Sequence, residues 1–209
     1  MKMFIENRNT ELPVYYINAK KEDASAILGR QLLQLIRRHP LGDFPPVILC
    51  IGTDRVTGDS LGPLTGSFLS AYSGHRYLPV YGTLDAPIHA LNLQEVSRQI
   101  KKKHPRRLVL AVDASLGTKK HLGYLTLGQG SLKPGAGVEK DLLSVGDIFL
   151  TGIISADTPQ AQHALQNVRL SAVTRMACCI TRGILYACCP DVLAAAALPV
   201  QREAMRSRF

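Results

Sequence analysis

Two runs, VILC at Val47–Cys50 and LVLAV at Leu108–Val112, are apolar at every position, and each leads straight into polar, acid-bearing sequence. A strand with one face in water alternates apolar and polar residues. A run with no alternation belongs to a strand covered on both faces, as in a parallel sheet between helix layers. The intervening segments read as helices. Lys21–Arg38 carries Ile27, Leu32, Leu33, Leu35 and Ile36 at helical spacing and stops at His39-Pro40, Ser60–Tyr72 follows the first run, and Pro87–Lys102 has proline in its first turn. Tyr77–Gly82 reads as a further strand between the last two. This alternation predicts a three-layer α/β/α fold with a largely parallel central sheet, in a single domain over residues 1–209. Beyond Asp113, GYLTLG and VGDIFLTGII read as strands and SLKPGAGVEK between them as an exposed loop. Asn167–Cys189 reads as one long core helix, and PDVLAAAALPV as a short last one.

The N-terminus MKMFIENRNTEL has no signal-peptide core, and no stretch approaches eighteen uninterrupted apolar residues, so a cytoplasmic protein that does not enter membranes is expected. The five cysteines form no CxxC motif. Cys178–Cys179 and Cys188–Cys189 are adjacent pairs in an apolar helical segment, where neighbours point about 100° apart and make poor joint ligands, so reduced core thiols are expected. The net charge of +9 is concentrated in RQIKKKHPRR, TKKH and the tail QREAMRSRF. No nucleic-acid motif and no interleaved aromatics accompany these runs, so they read as solvated helix ends able to attract an acidic protein, and a nucleic-acid partner is not expected.

Ligands of open α/β sheets bind outside the carboxyl ends of the strands. Thr53, Asp54 and Asp59 follow the first run, Asp85 and His89 the second strand, and Asp113 and Ser115 the third. Gly52, Gly58 and Gly62 match neither phosphate-loop spacing. Asp59 at the start of a helix is either a cap or half of an acid pair, and Asp113 either a hydrogen-bonded turn residue or the other half. Two carboxyl groups at neighbouring strand ends can share a proton, activate water or hold a divalent metal. His89, expected in the first turn of its helix, is either a surface histidine or one that orients a carboxylate or water.

CIGTDRVTGDSLGP (Cys50–Pro63), GTLDAPIHALNL (Gly82–Leu93), KPGAGVEK and VGDIFLTGI resemble the YyaC family of sporulation proteins, with strong motifs from Val47 to Ile154. That family is similar to the spore germination protease, which degrades small acid-soluble spore proteins. Its glycine-rich loop ends in a pattern that GDSLGP fits. The likeness places Asp59 on the protease's first essential aspartate and, through VDASLG, Asp113 on its second. Cys50 stands where the protease loop has its first glycine, and the much shorter chain leaves little room for a propeptide, so zymogen control is not implied. Both families more distantly resemble the hydrogenase maturation endopeptidases, which use two acids and a histidine around a substrate-bound nickel. Here His121 falls too early and His163 too late for that histidine.

The resemblance implies a sporulation-associated peptidase, active in the sporulating cell or forespore, that hydrolyses peptide bonds with Asp59 and Asp113 and needs no cofactor. Its substrate would be a protein or peptide, with small acid-soluble spore proteins as candidates. Thr53, Asp54, Gly58, Asp85, His89 and Ser115 would line or support the cleft. The alternative is a non-catalytic sporulation protein of the same fold that binds a peptide, metal or small anion there. Assembly into a homo-oligomer is left open.

Overall fold

The computed structural model describes residues 13–134, 144–159 and 161–189. Its strands are β1 (Tyr15–Asn18), β2 (Val47–Cys50), β3 (Val80–Tyr81), β4 (Val109–Gly117), β5 (Tyr124–Gln129) and β6 (Ile148–Ala156). Its helices are α1 (Ala24–Arg38), α2 (Leu61–Tyr77), α3 (Leu93–Lys103), α4 (Ala161–Gln166) and α5 (Leu170–Cys188). The strands form one sheet in the order β1-β5-β6-β4-β2-β3. β3, β2, β4 and β6 run parallel, while β5 and β1 are antiparallel to their inner neighbours.

The two apolar runs lie side by side, with Val47 opposite Val109 and Cys50 opposite Val112. Alternate residues divide between two cores, as strand geometry requires. Ile48, Cys50, Leu110, Val112 and Leu150 face α1, α2 and α5, where Leu28, Leu32, Leu61, Leu69 and Ile180 close the larger core. Val47, Leu49, Ala111 and Phe149 face α3, through Leu93 and Ile100. The expected three-layer arrangement is therefore present.

Close backbone contact sets how α2 lies on the sheet. A Cβ on Gly62 would fall 2.0 Å from the Ile51 carbonyl oxygen, and one on Gly66 1.9 Å from that of Gly82. These glycines in the loop and its helix are thus spacers between helix and sheet.

Several boundaries differ from the sequence reading. β1 was not anticipated; it adds an antiparallel edge to the sheet. α2 extends to Tyr77, which leaves β3 only two residues, and the long last helix begins at Leu170 after the separate α4. The expected helix start at Pro87 is displaced to Leu93. Ile88 is buried and its carbonyl accepts the Gly52 N–H, which holds this stretch against the sheet in non-helical form. Most of the SLKPGAGVEK loop and all of PDVLAAAALPV lie outside the described residues, although Leu132 is buried and bridges to Val145.

The expected core placement holds for most of the thiols and not for Cys178. Cys50 and Cys189 are buried and Cys179 and Cys188 partly so, but Cys178 is exposed because it lies on the outer side of α5. Burial pushes the Cys50 and Cys188 thiols far up, and Cys179 up to about 11 against the opposing charge of Arg182.

Two outcomes follow from this packing. Gly66→Ala should lower stability by about 2 kcal/mol or more in urea unfolding, despite alanine's better helix propensity, because the added methyl meets backbone. Thiol titration of the native chain near neutral pH should show one fast group, lost in Cys178→Ser, with the others released on denaturation.

Candidate active site

β2 stops at Cys50, and its last link to β4 is the Ile51 N–H donated to the Val112 carbonyl at 2.8 Å. β4 continues to Gly117 because β6 pairs with it that far. Asp113 is therefore not past the end of its strand, as the sequence suggested; it lies inside β4, just beyond the β2 ladder. It shares the α3-side face with Val109 and Ala111, and is 4% exposed. One carboxylate oxygen accepts the Ala114 N–H at 2.8 Å. The β4–β6 register shifts by one residue between Ser115 and Leu116.

The chain leaving β2 turns through Gly52, at φ +139°, into a short 3₁₀ turn at Thr57–Ser60 that carries Asp59 and leads into α2. The Thr53 N–H donates to the Asp59 main-chain carbonyl at 3.2 Å, and a Cβ on Gly52 would lie 2.0 Å from that oxygen. Asp59 is thus fixed from both sides. Gly58 packs against Leu165 of α4, where a Cβ would come within 2.7 Å, so its role is to admit that helix.

The two acids interact. Burial raises the Asp113 carboxyl well above its usual range, and the neighbouring Asp59 charge raises it further. Burial also raises Asp59, but the Thr53 backbone N–H and the charge of His89 both oppose this. Of the two, Asp113 holds its proton more tightly, and Asp59 is the one that its surroundings help to ionise.

His89 is not in a helix; it belongs to a pinned loop. Its N–H donates to the Asn92 side-chain oxygen at 2.8 Å, and the Asn92 amide donates to the Pro87 carbonyl at 3.0 Å. Leu84 N–H donates to Ser67 Oγ at 2.9 Å, which ties the same loop to α2. Asn92 was not singled out in the sequence, though an asparagine just before a helix is a recognisable sign of such a clamp.

The other expected residues are less central. Thr53 Oγ1 accepts the Arg55 N–H at 3.3 Å and lies 3.5 Å from Asp54 Oδ1, and both Asp54 and Asp85 are exposed to solvent. Ser115 is buried within the sheet, on the same face as Asp113, and its hydroxyl lies 3.0 Å from that of Thr151. Thr151, opposite Asp113 on β6, lies 2.6 Å from the Thr126 hydroxyl. This buried hydroxyl chain was missed, although a lone threonine in each of LTL and FLTG was its signal. Among the described residues, no group of three or more His, Cys, Asp or Glu side chains is placed to hold a metal.

A family profile described as a protein of unknown function, DUF1256, matches residues 16–183. The chain is also 47% identical over 140 residues to a Bacillus subtilis (strain 168) protein named "Uncharacterized protein YyaC", covering 67% of this chain and 68% of that one. The chain belongs to the YyaC family. The matched region holds both acids, His89 and the whole sheet except the first residue of β1. No helix among the described residues is long and apolar enough to cross a membrane.

The raised acids give a signed expectation for this family member. A carboxyl whose folded pKa is raised binds its proton more tightly when folded, so its contribution is present at low pH and is lost as pH rises from the unfolded value, near 4, toward the folded one. Asp113→Asn removes this loss and still accepts the Ala114 N–H. Its urea midpoint should match the parent's at about pH 4 and exceed it at about pH 7, with a smaller gain for Asp59→Asn.

Proposed function

We propose that this YyaC-family chain is a sporulation-associated peptidase that uses Asp59 and Asp113 as an acid pair. The observation that carries this reading is the unequal environment of two interacting carboxyl groups: burial raises both, the Asp59 charge raises Asp113 further, and Thr53 and His89 act back on Asp59 in favour of its ionised form. Opposite protonation states in one pair are what acid–base hydrolysis requires.

The ionised Asp59 takes a proton from water as the water oxygen bonds to the scissile carbonyl carbon. The tetrahedral intermediate collapses as the C–N bond breaks, and the leaving nitrogen takes the Asp113 proton. Asp59 is then protonated and Asp113 ionised, so one proton passes between them, through the pair or solvent, to restore the starting state. His89 helps keep Asp59 anionic, and the pinned loop holds His89 in place.

The resemblance to the germination protease supports protein substrates, with small acid-soluble spore proteins first among them, in the sporulating cell or forespore. A second reading, a non-catalytic protein that binds a peptide, metal or small anion in the same cleft, is favoured by the 4% exposure of Asp113, which leaves little room for direct contact with substrate.

Incubation with small acid-soluble spore proteins, followed by mass spectrometry, separates the two. Defined cleavage by the parent should fall by roughly a hundredfold to ten-thousandfold in Asp59→Asn and in Asp113→Asn. Cleavage that persists in both variants would remove the pair from the chemistry. A folded parent that binds these proteins without cutting them would favour the second reading.

A further inference from the structure

A pocket of about 110 Å³ lies at the opposite, amino-terminal edge of the sheet, between α3 and the starts of β4 and β6. Leu49, Val109 and Val145 form its apolar wall, and Ser97, Lys101 and Asp147 its polar one. Ser97 is 7% exposed, and its Oγ has no hydrogen-bond partner among the described residues. An unpaired buried hydroxyl costs about 1–3 kcal/mol. A serine inside a helix ordinarily avoids that by donating to the carbonyl four residues back, which Ser97 does not do.

Lys101 lies one turn further along the same face of α3. Asp147 is fixed by the Val109 N–H, which donates to Oδ2 at 2.8 Å, and a carboxylate with one such bond can accept more. The pocket therefore presents one cation, one anion, an unpaired hydroxyl and an aliphatic surface. A simple anion would meet Asp147 and a simple cation would meet Lys101, so a zwitterion is the ligand that satisfies both.

We propose that this pocket binds a small aliphatic α-amino acid. Its carboxylate lies at Lys101 and Ser97, its ammonium group at Asp147, and its side chain against Leu49, Val109 and Val145. The volume is below that of a cavity of about 150 Å³ that accepts benzene, so a small aliphatic side chain suits it better than an aromatic ring. The site does not depend on the acid pair or on peptidase activity.

Valine titrated into the full chain, followed by amide NMR and calorimetry, tests the assignment. Valine should give saturable shifts centred on Ser97, Lys101 and Gly146. Valinamide, which lacks the carboxylate, 3-methylbutanoate, which lacks the ammonium group, and tryptophan should each bind at least tenfold more weakly. Ser97→Leu, which fills the pocket, and Lys101→Met, at an exposed position that leaves the core intact, should each weaken valine at least tenfold. No saturable response to valine, equal binding of the analogues, unchanged affinity in Lys101→Met, or a valine-soaked crystal with only ordered water in the pocket would overturn the proposal.

Discussion

The acid pair depends on β4 outrunning β2. Between Val47 and Cys50 the two strands hold each other at every residue, and one position further on β2 turns away while β6 keeps β4 extended to Gly117. That mismatch puts Asp113 in regular backbone, hydrogen-bonded on its β6 side, with its β2 side free for the loop that brings Asp59. If β2 were two residues longer, a strand would lie where Asp59 now approaches. If β4 stopped at Asp113, the carboxyl would sit in an exposed turn and its pKa would not be raised by burial.

Burial then gives each acid its character. In a low-dielectric setting, charging Asp113 is penalised both by lost solvation and by the charge already on Asp59. Asp59 is better served, because the loop that delivers it also supplies the Thr53 N–H, and the pinned Pro87–Asn92 segment supplies His89. The glycines of the loop and its helix serve this arrangement indirectly: Gly62 and Gly66 let α2 settle onto the sheet, and Gly52 admits the Asp59 carbonyl.

The fold class was legible because two uninterrupted apolar runs have few other uses than doubly covered strands. β1 was not legible: YYIN is four residues with an exposed tyrosine, and its pairing with β5 is a long-range choice that no local pattern records. Asp59 and Asp113 stood out as acids next to apolar runs, yet the extent of β4 did not, since it is set by β6 some forty positions later. The helix assigned from Pro87 failed for a similar reason: proline suits a first turn, but Ile88 is drawn into the core under α3 and Asn92 bonds backwards into the loop.

The lysine run of α3 does not relieve the acids, and geometry explains why. α3 leaves the His89 loop and carries its charge at the far end, with Lys101, Lys102 and Lys103 in its last turn, where they complement the helix dipole. Eleven residues of helix span about 16 Å, well beyond a Debye length of about 8 Å at physiological salt. The charge of these three lysines is thus largely screened from the pair, whereas His89, in the loop before α3, acts on Asp59. With these lysines at the far end of α3, burial and the Asp59 charge set the raised carboxyl of Asp113, where a nearby ammonium group would favour the ionised form.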